Sequence, residues 1–201
     1  REYDIRGIIG QTLGEADAVA IGRGFATLLR RAGGTRVAIG WDGRISSPVL
    51  ADALAAGLNA SGVDVVKVGV GPTPMLYFAA ATLEVDGGIM ITGSHNPANY
   101  NGFKMVLEGR PFFGEDIQKL GRMAAEGDWD EGTGTVDTAD IMDLYIDRLL
   151  QNYDGGAFRI GWDAGNGAAG PAIEKLTARL PGEHHLLFTD IDGTFPNHHP
   201  D

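Results

Sequence analysis

Between Ile91 and Lys104 the chain reads Ile-Thr-Gly-Ser-His-Asn-Pro-Ala-Asn-Tyr-Asn-Gly-Phe-Lys. The stretch concentrates a hydroxyl at Ser94, an imidazole at His95, several side-chain amides and an ammonium at Lys104. Such a set can supply an oxygen nucleophile, pass a proton and offset negative charge. Gly93 lets backbone approach a ligand closely beside Ser94, and Pro97 biases Asn96 toward extended geometry. The same residue types also make an ordinary polar surface turn. A Ser–His–Asp hydrolase fits less well. Ser94 is not in a Gly-x-Ser-x-Gly elbow, and side chains adjacent in sequence diverge, which leaves His95 badly placed to activate Ser94.

The segment follows a short apolar run, Gly88 to Thr92, that reads as a buried strand. Loops at the carboxyl ends of such strands are the usual ligand sites of open α/β sheets. The rest of the chain alternates in the same manner. Ala18, Ile21, Phe25, Leu28 and Leu29 share a helical face, and Val37 to Trp41 reads as a strand. Ser47-Pro48 has the form of an N-cap followed by proline, opening a helix that carries Leu50, Leu54 and Leu58. Val63 to Val68 is a β-branched strand, Met75 to Thr82 a short helix, and Phe103 to Leu107 another strand. Ile117, Leu120 and Ala124 mark a further helix, as do Ile141, Leu144, Tyr145 and Leu149. The alternation predicts α/β architecture: three-layer α/β/α domains around a mostly parallel, mixed sheet.

The pattern then restarts. Ile39-Gly40-Trp41-Asp42-Gly43 and Ile160-Gly161-Trp162-Asp163-Ala164-Gly165 are each followed by a helix and a strand, which suggests a duplicated unit. The Gly-, Asp- and Thr-rich stretch 127–137 is the expected boundary region. The expectation is a complete first domain over 1–136 and part of a second over 137–201. With Arg1 at its start and Asp201 soon after the second copy's second strand, the chain reads as a portion of something longer.

Composition narrows the function classes. Of 201 residues, 43% are hydrophobic, enough for a folded core. The net charge of −11 repels polyanions, so a nucleic-acid partner is not expected. The absence of cysteine removes disulfides and thiolate metal sites and fits a reducing compartment. No apolar run reaches the ~20 residues of a membrane span, and no signal peptide is visible. A cytoplasmic location, no membrane partner and a monomeric state are the expectations.

Thr92-Gly93-Ser94-His95-Asn96-Pro97, continued by Tyr100-Asn101-Gly102-Phe103-Lys104, resembles the phosphoserine loop of the phosphohexomutases of the phosphomannomutase/phosphoglucomutase type. Three further segments are similar to that family, in family order. Glu2-Tyr3-Asp4-Ile5-Arg6-Gly7 resembles its N-terminal signature, Asp163-Ala164-Gly165-Asn166-Gly167 the start of its second domain, and Asp192 to Pro200 the segment that follows. The resemblance implies a four-domain enzyme more than twice this length, an isomerase interconverting hexose 1-phosphates and 6-phosphates of mannose or glucose. A phosphoserine and a hexose 1,6-bisphosphate intermediate carry the phosphoryl group. It implies Ser94 as phosphoryl carrier, with one phosphate oxygen on a Mg²⁺ ion. Arg6 and Lys104 would offset charge on the transferring group, Tyr3, His95 and Asn96 would line the site, and His95 would assist proton transfer. Arg6, Lys104, Tyr3 and Asn96 would contact substrate.

The chain departs from the family at the metal site. The family's Asp-Gly-Asp-Gly-Asp-type loop does not occur here, nor do its sugar-recognition and terminal phosphate-binding segments. The remaining ligands of Mg²⁺ would lie outside this chain, and the chain alone is expected to be inactive. Two other readings stand beside this one. Leu186 to Thr194, with Asp190 and Asp192, resembles the nucleophile strand of haloacid-dehalogenase-type phosphatases, but only seven residues follow Thr194. A non-catalytic phosphosugar-binding module is the other.

Overall fold

A computed structural model describes residues 3–200; Glu2, part of the N-terminal signature, lies outside them. The chain runs β1 (Ile5–Ile8), α1 (Glu15–Arg31), β2 (Arg36–Trp41), α2 (Ser47–Ala60), β3 (Asp64–Val70), α3 (Thr73–Thr82), β4 (Gly87–Ile91), β5 (Tyr100–Leu107), β6 (Arg110–Phe112), α4 (Glu115–Glu126), β7 (Val136–Thr138), α5 (Met142–Leu150), β8 (Phe158–Asp163), α6 (Gly170–Thr177) and β9 (Gly182–Leu187). It is an α/β fold with a mixed sheet.

The large sheet has the order β1-β5-β4-β2-β3-β7, with β6 paired to β5. Strands β4, β2, β3 and β7 run parallel, and β1, β5 and β6 form an antiparallel flank. Successive strand residues point to opposite faces, and the sequence uses both. Val37 and Ile39 of β2, with Ile89 and Ile91 of β4, enter the core under α1, α2 and α4. Ala38 and Met90 enter the core under α3, α5 and α6. These central strands are buried on both sides, so they read as continuous apolar runs rather than alternating ones.

Helices α1 and α2 lie unusually close. A Cβ on Gly22 would stand 2.5 Å from the Leu54 carbonyl oxygen, and one on Gly57 would stand 2.3 Å from that of Val19. Two glycines thus let the backbones approach and seat Leu54, Leu58 and Phe25 out of water. Burying each such side chain is worth about 1.5–3 kcal/mol.

Some sequence expectations shift. Ser47 is the first helical residue of α2 and Ser46 is its N-cap, without a side-chain capping bond. On α4 the buried positions are Leu120 and Met123, while Ala124 is exposed. On α5 Tyr145 and Ile146 are buried, and Leu144 and Leu149 face out.

Beyond α5, β8 and β9 form a separate parallel pair followed on the surface by the 188–200 loop. The restart seen in sequence has a geometric counterpart. In the first turn Asp42 Oδ1 accepts the Arg44 amide at 3.0 Å, and in the second Asp163 Oδ1 accepts the Gly165 amide at 2.8 Å. Among the described residues no helix is long and apolar enough to cross a membrane.

Candidate active site

Because β2, β3 and β4 are parallel, their carboxyl ends share one edge of the sheet. Three loops meet there: the Asp42 turn after β2, Gly71-Pro72-Thr73 after β3, and the Ser94 loop after β4. They line a cleft of about 320 Å³. Thr92, Ser94 and His95 form part of one wall, and Asp163, Gly165 and His198 from the second unit form part of the other.

Ser94 is held by its backbone. Its φ of 53° lies in the left-handed region, which costs a non-glycine residue roughly 1–2 kcal/mol and persists only when the surroundings impose it. The Ser94 amide donates to Thr92 Oγ1 at 2.9 Å, and its carbonyl accepts from Arg44 at 2.8 Å. The Gly93 amide donates to Asp42 Oδ2 at 3.1 Å. Ser94 Oγ itself has no hydrogen-bond partner among the described residues, so the hydroxyl is presented to the half-open cleft rather than consumed in the loop.

His95 is exposed and lines the same cleft. Asn96 instead turns back on the loop, its side-chain amide donating to the Gly93 carbonyl at 2.8 Å. Asn101 is fully buried and donates to Ser46 Oγ and Ser47 Oγ at 2.8 and 2.9 Å, which ties β5 to the start of α2.

Arg6 and Lys104 come together next to the loop root on β1 and β5. Both donate to Asp4 Oδ2, Arg6 at 2.7 Å and Lys104 at 3.1 Å. Burial alone would raise the Asp4 carboxyl, but hydrogen bonds and charge from Lys104 and Arg6 outweigh it and hold the group below the usual carboxylate range. The Arg6 side chain crosses Gly102, where a Cβ would lie 2.9 Å from Arg6 Cγ, and the Gly102 carbonyl accepts the Thr92 amide. The two cations lie together on the β5 side of the strand that leads to Ser94, Lys104 opposite Met90 and Arg6 opposite Gly102, and their side-chain hydrogen bonds go to Asp4 and not to Ser94. Tyr3 is exposed, its ring 6.4 Å from that of Phe113, outside the cleft walls.

Two residues central to this arrangement, Arg44 and Asp42, are not among the site residues that the sequence pattern singles out. Arg44 lies in an Asp-Gly-Arg turn, where an arginine reads as a solvated surface charge. The available signal is the turn's repetition around Asp163.

Among the described residues no group of three or more His, Asp or Glu stands together to hold a metal ion. Magnesium favours an octahedral oxygen shell built on carboxylates, so the residues present do not by themselves form its site. Asp190 is exposed in the loop after β9, and its carbonyl accepts from Asn166 at 2.9 Å.

A family model described as phosphoglucomutase/phosphomannomutase, alpha/beta/alpha domain I, matches residues 1–131. The chain is 44% identical over 209 residues to a phosphoglucomutase of Neisseria meningitidis, covering all of this chain and 44% of that protein. It is 41% identical over 202 residues to a phosphomannomutase/phosphoglucomutase of Pseudomonas aeruginosa, with the same coverage of each. The crystal structure of a phosphoglucomutase/phosphomannomutase family protein from Burkholderia thailandensis superposes with a TM-score of 0.96 at 47% identity, over all of this chain and 46% of that one. The chain thus spans less than half the length of these relatives. Neither the phosphatase reading of Asp190 nor a purely binding module is favoured by these likenesses. On sequence and structure together, the chain belongs to the phosphoglucomutase/phosphomannomutase family.

Proposed function

We propose that this chain supplies the phosphoryl-carrying part of a phosphohexomutase that interconverts hexose 1- and 6-phosphates of glucose or mannose. The observation that carries the reading is Ser94: a hydroxyl without an internal partner among the described residues, on a strained turn at the carboxyl edge of the parallel strands, lining a cleft. In the forward half-reaction a sugar hydroxyl attacks the phosphorus of phosphoserine 94. The P–Oγ bond breaks, the new sugar O–P bond forms, and the sugar's proton ends on Ser94 Oγ. His95, which lines the same cleft, would assist transfer of that proton. The resulting 1,6-bisphosphate reverses the step with its other phosphoryl group. Arg6 and Lys104 stabilise charge on the transferring group, which is most of what a protein contributes to phosphoryl transfer. Tyr3, now outside the cleft walls, and Asn96, now bonded back to the Gly93 carbonyl, are the further substrate contacts of this reading.

The same reading divides the chain into a first domain over 1–136 and part of a second over 137–201. Support comes from β8 and β9, which form a sheet of their own, while β7 (Val136–Thr138) crosses the 136/137 bound and α5 packs on the large sheet. Mg²⁺ belongs to the complete enzyme, with phosphoserine 94 giving one ligand. A cytoplasmic monomer acting on phosphosugars, without nucleic-acid or membrane partners, is the setting proposed.

The test is phosphoenzyme formation. Incubation with glucose 1,6-bisphosphate followed by intact-mass measurement should add one phosphate to the wild-type protein and none to Ser94→Ala. Equal adducts on both would place the carrier elsewhere.

A further inference from the structure

Arg44 is fully buried, which a guanidinium tolerates only when its donors are matched. Here they are. Nε donates to Asp42 Oδ2 at 3.1 Å. Nη1 donates to the carbonyls of Pro97 at 2.6 Å and Tyr100 at 3.1 Å. Nη2 donates to the carbonyls of Ser94 at 2.8 Å and Asn96 at 2.7 Å. Four of these acceptors lie within one seven-residue loop, so a single planar fork spans the segment from Ser94 to Tyr100. Burial pulls the Arg44 pKa down and the neighbouring Asp42 carboxylate works against that. A guanidinium starts so high that it keeps its charge.

The packing around the fork is equally specific. A Cβ on Gly93 would fall 2.3 Å from Arg44 Cζ, so the residue before Ser94 must be glycine for the fork to pass. The Phe195 ring, from the second unit, lies 5.1 Å from Arg44 Cζ, in range of a cation–π contact. Gly193 packs alongside, where a Cβ would stand 2.7 Å from the Gly43 carbonyl oxygen. The 191–198 loop of the second unit therefore closes over the turn that carries Arg44.

We infer that Arg44 is the positioning residue of the Ser94 loop, and that Phe195 couples this positioning to the second unit. The inference rests on the reading of Ser94 as phosphoryl carrier. Arg44 has no donor left for substrate, so it acts through the backbone it holds. It fixes Ser94 in its left-handed conformation and keeps the hydroxyl aimed into the cleft. Lysine cannot replace it, because an ammonium is a compact charge and cannot span acceptors arranged for a planar fork.

The experiment compares wild type, Arg44→Lys, Arg44→Ala and Phe195→Leu in the complete enzyme. It follows conversion of glucose 1-phosphate to glucose 6-phosphate together with amide hydrogen exchange. Misplacement of a reacting group by about 1 Å costs about 10²-fold in rate. Arg44→Lys should therefore lose about that much in kcat, far more than KM rises. Exchange should quicken in peptides covering 92–103 and stay unchanged in β2 and β3. Activity of Arg44→Ala should recover severalfold in millimolar guanidinium chloride and not in sodium chloride. Phe195→Leu should show the same pattern more weakly. Wild-type kcat in Arg44→Lys overturns the inference, and so does a loss without guanidinium rescue accompanied by faster exchange throughout the sheet. Wild-type kcat and exchange in Phe195→Leu overturns the coupling to the second unit. If wild type neither turns over nor accepts phosphate on Ser94, the carrier reading fails. Exchange at 92–103 then still decides whether Arg44 holds the loop, unchanged protection in Arg44→Lys overturning it.

Discussion

Lys104 and Arg6 share one buried carboxylate, and that sharing sets what either can do. Asp4 anchors both side chains at the strand ends below the Ser94 loop, and the three groups carry one net positive charge. A doubly charged phosphoryl group entering beside them meets donors whose positions are already fixed, so little reorganisation opposes transfer. Lys104→Ala in the complete enzyme is expected to cut turnover by about 10²-fold, the typical effect of removing a donor aimed at developing charge. Steady-state kinetics with glucose 1-phosphate checks this, and unchanged turnover would make Lys104 a surface residue. Ser94 is legible from sequence because its motif is dense in special residue types. Asp4 stands out only as part of the N-terminal signature, since a lone aspartate reveals nothing of the two cations it will join, one close in sequence and one remote. Arg44 is illegible for a different reason. Four of its five bonds go to the main chain, and main-chain acceptors leave no trace in the identity of the residues that supply them.

At the scale of elements, two glycines illustrate opposite physics. Gly57 on α2 faces the Val19 carbonyl, a rigid neighbour. Gly57→Ala gains up to about 1 kcal/mol in helix propensity, but the clash with backbone that cannot yield outweighs it, as overpacking commonly costs about 1–3 kcal/mol. Gly121 on α4 is exposed, and a Cβ there would meet nothing within 4 Å. Gly121→Ala should therefore stabilise by up to about 1 kcal/mol. Thermal melts of the two variants should move in opposite directions. The contact between the 191–198 loop and the Asp163 turn should respond to pH. His198 Nδ1 faces the His199 carbonyl at 2.7 Å and Nε2 faces Asp163 Oδ1 at 3.1 Å, so both ring nitrogens favour carrying hydrogen. The His199 carbonyl first, then Asp163, raise the His198 pKa, and His198 with the Gly165 amide lowers that of Asp163. Asp163 thus contributes stability above the ordinary carboxylate range and loses it as pH falls through its depressed pKa. His198 contributes fully below about 6.5 and loses its share as pH rises through its raised pKa. An NMR titration should place the His198 midpoint above that of a free imidazole, and Asp163→Asn should bring it down. Long periodic helices and the central strands are legible in the sequence, because burial on one or both faces writes a regular apolar pattern. Strands β1, β6 and β7 are not, because each has only three or four residues and gains its identity by pairing with a partner distant in sequence or too short to show a period.

Over the whole molecule, burial is uneven, and the unevenness bears on activity. The large sheet is covered on both faces, whereas Phe158 is 61% exposed and Leu187 48% on the β8–β9 pair. Ile141, Tyr145 and Ile146 at α5 and Ala172 of α6 share a core with α3 and the large sheet, so the second unit leans on the first through these helices and through the 191–198 loop. The chain as given is expected to fold at least over its large sheet, with a cooperative melt, yet to show no sustained mutase turnover. Carrying a phosphoryl group needs only the Ser94 loop, and the hydrogen bonds that hold that loop come from the first unit, from residues 42–104 and from the Ile9 amide on the Asn99 carbonyl. Turnover needs more: a clamp on the sugar hydroxyls, another on the phosphate that is not reacting, and enclosure of the bisphosphate while it reorients. Binding energy from the remote phosphate is what orients the reacting end, and positioning of that kind can supply about 7–11 kcal/mol of a barrier. The cleft between the Ser94 wall and the Asp163 wall is about 320 Å³ and open to solvent, and among the described residues its lining offers His198 on the far side but no arginine or lysine to grip a second phosphate. A coupled glucose 6-phosphate assay comparing this chain with the complete enzyme at equal concentration checks the point. Turnover within about tenfold of the complete enzyme would mean that two walls suffice and that the positioning energy comes from the groups around Ser94 alone.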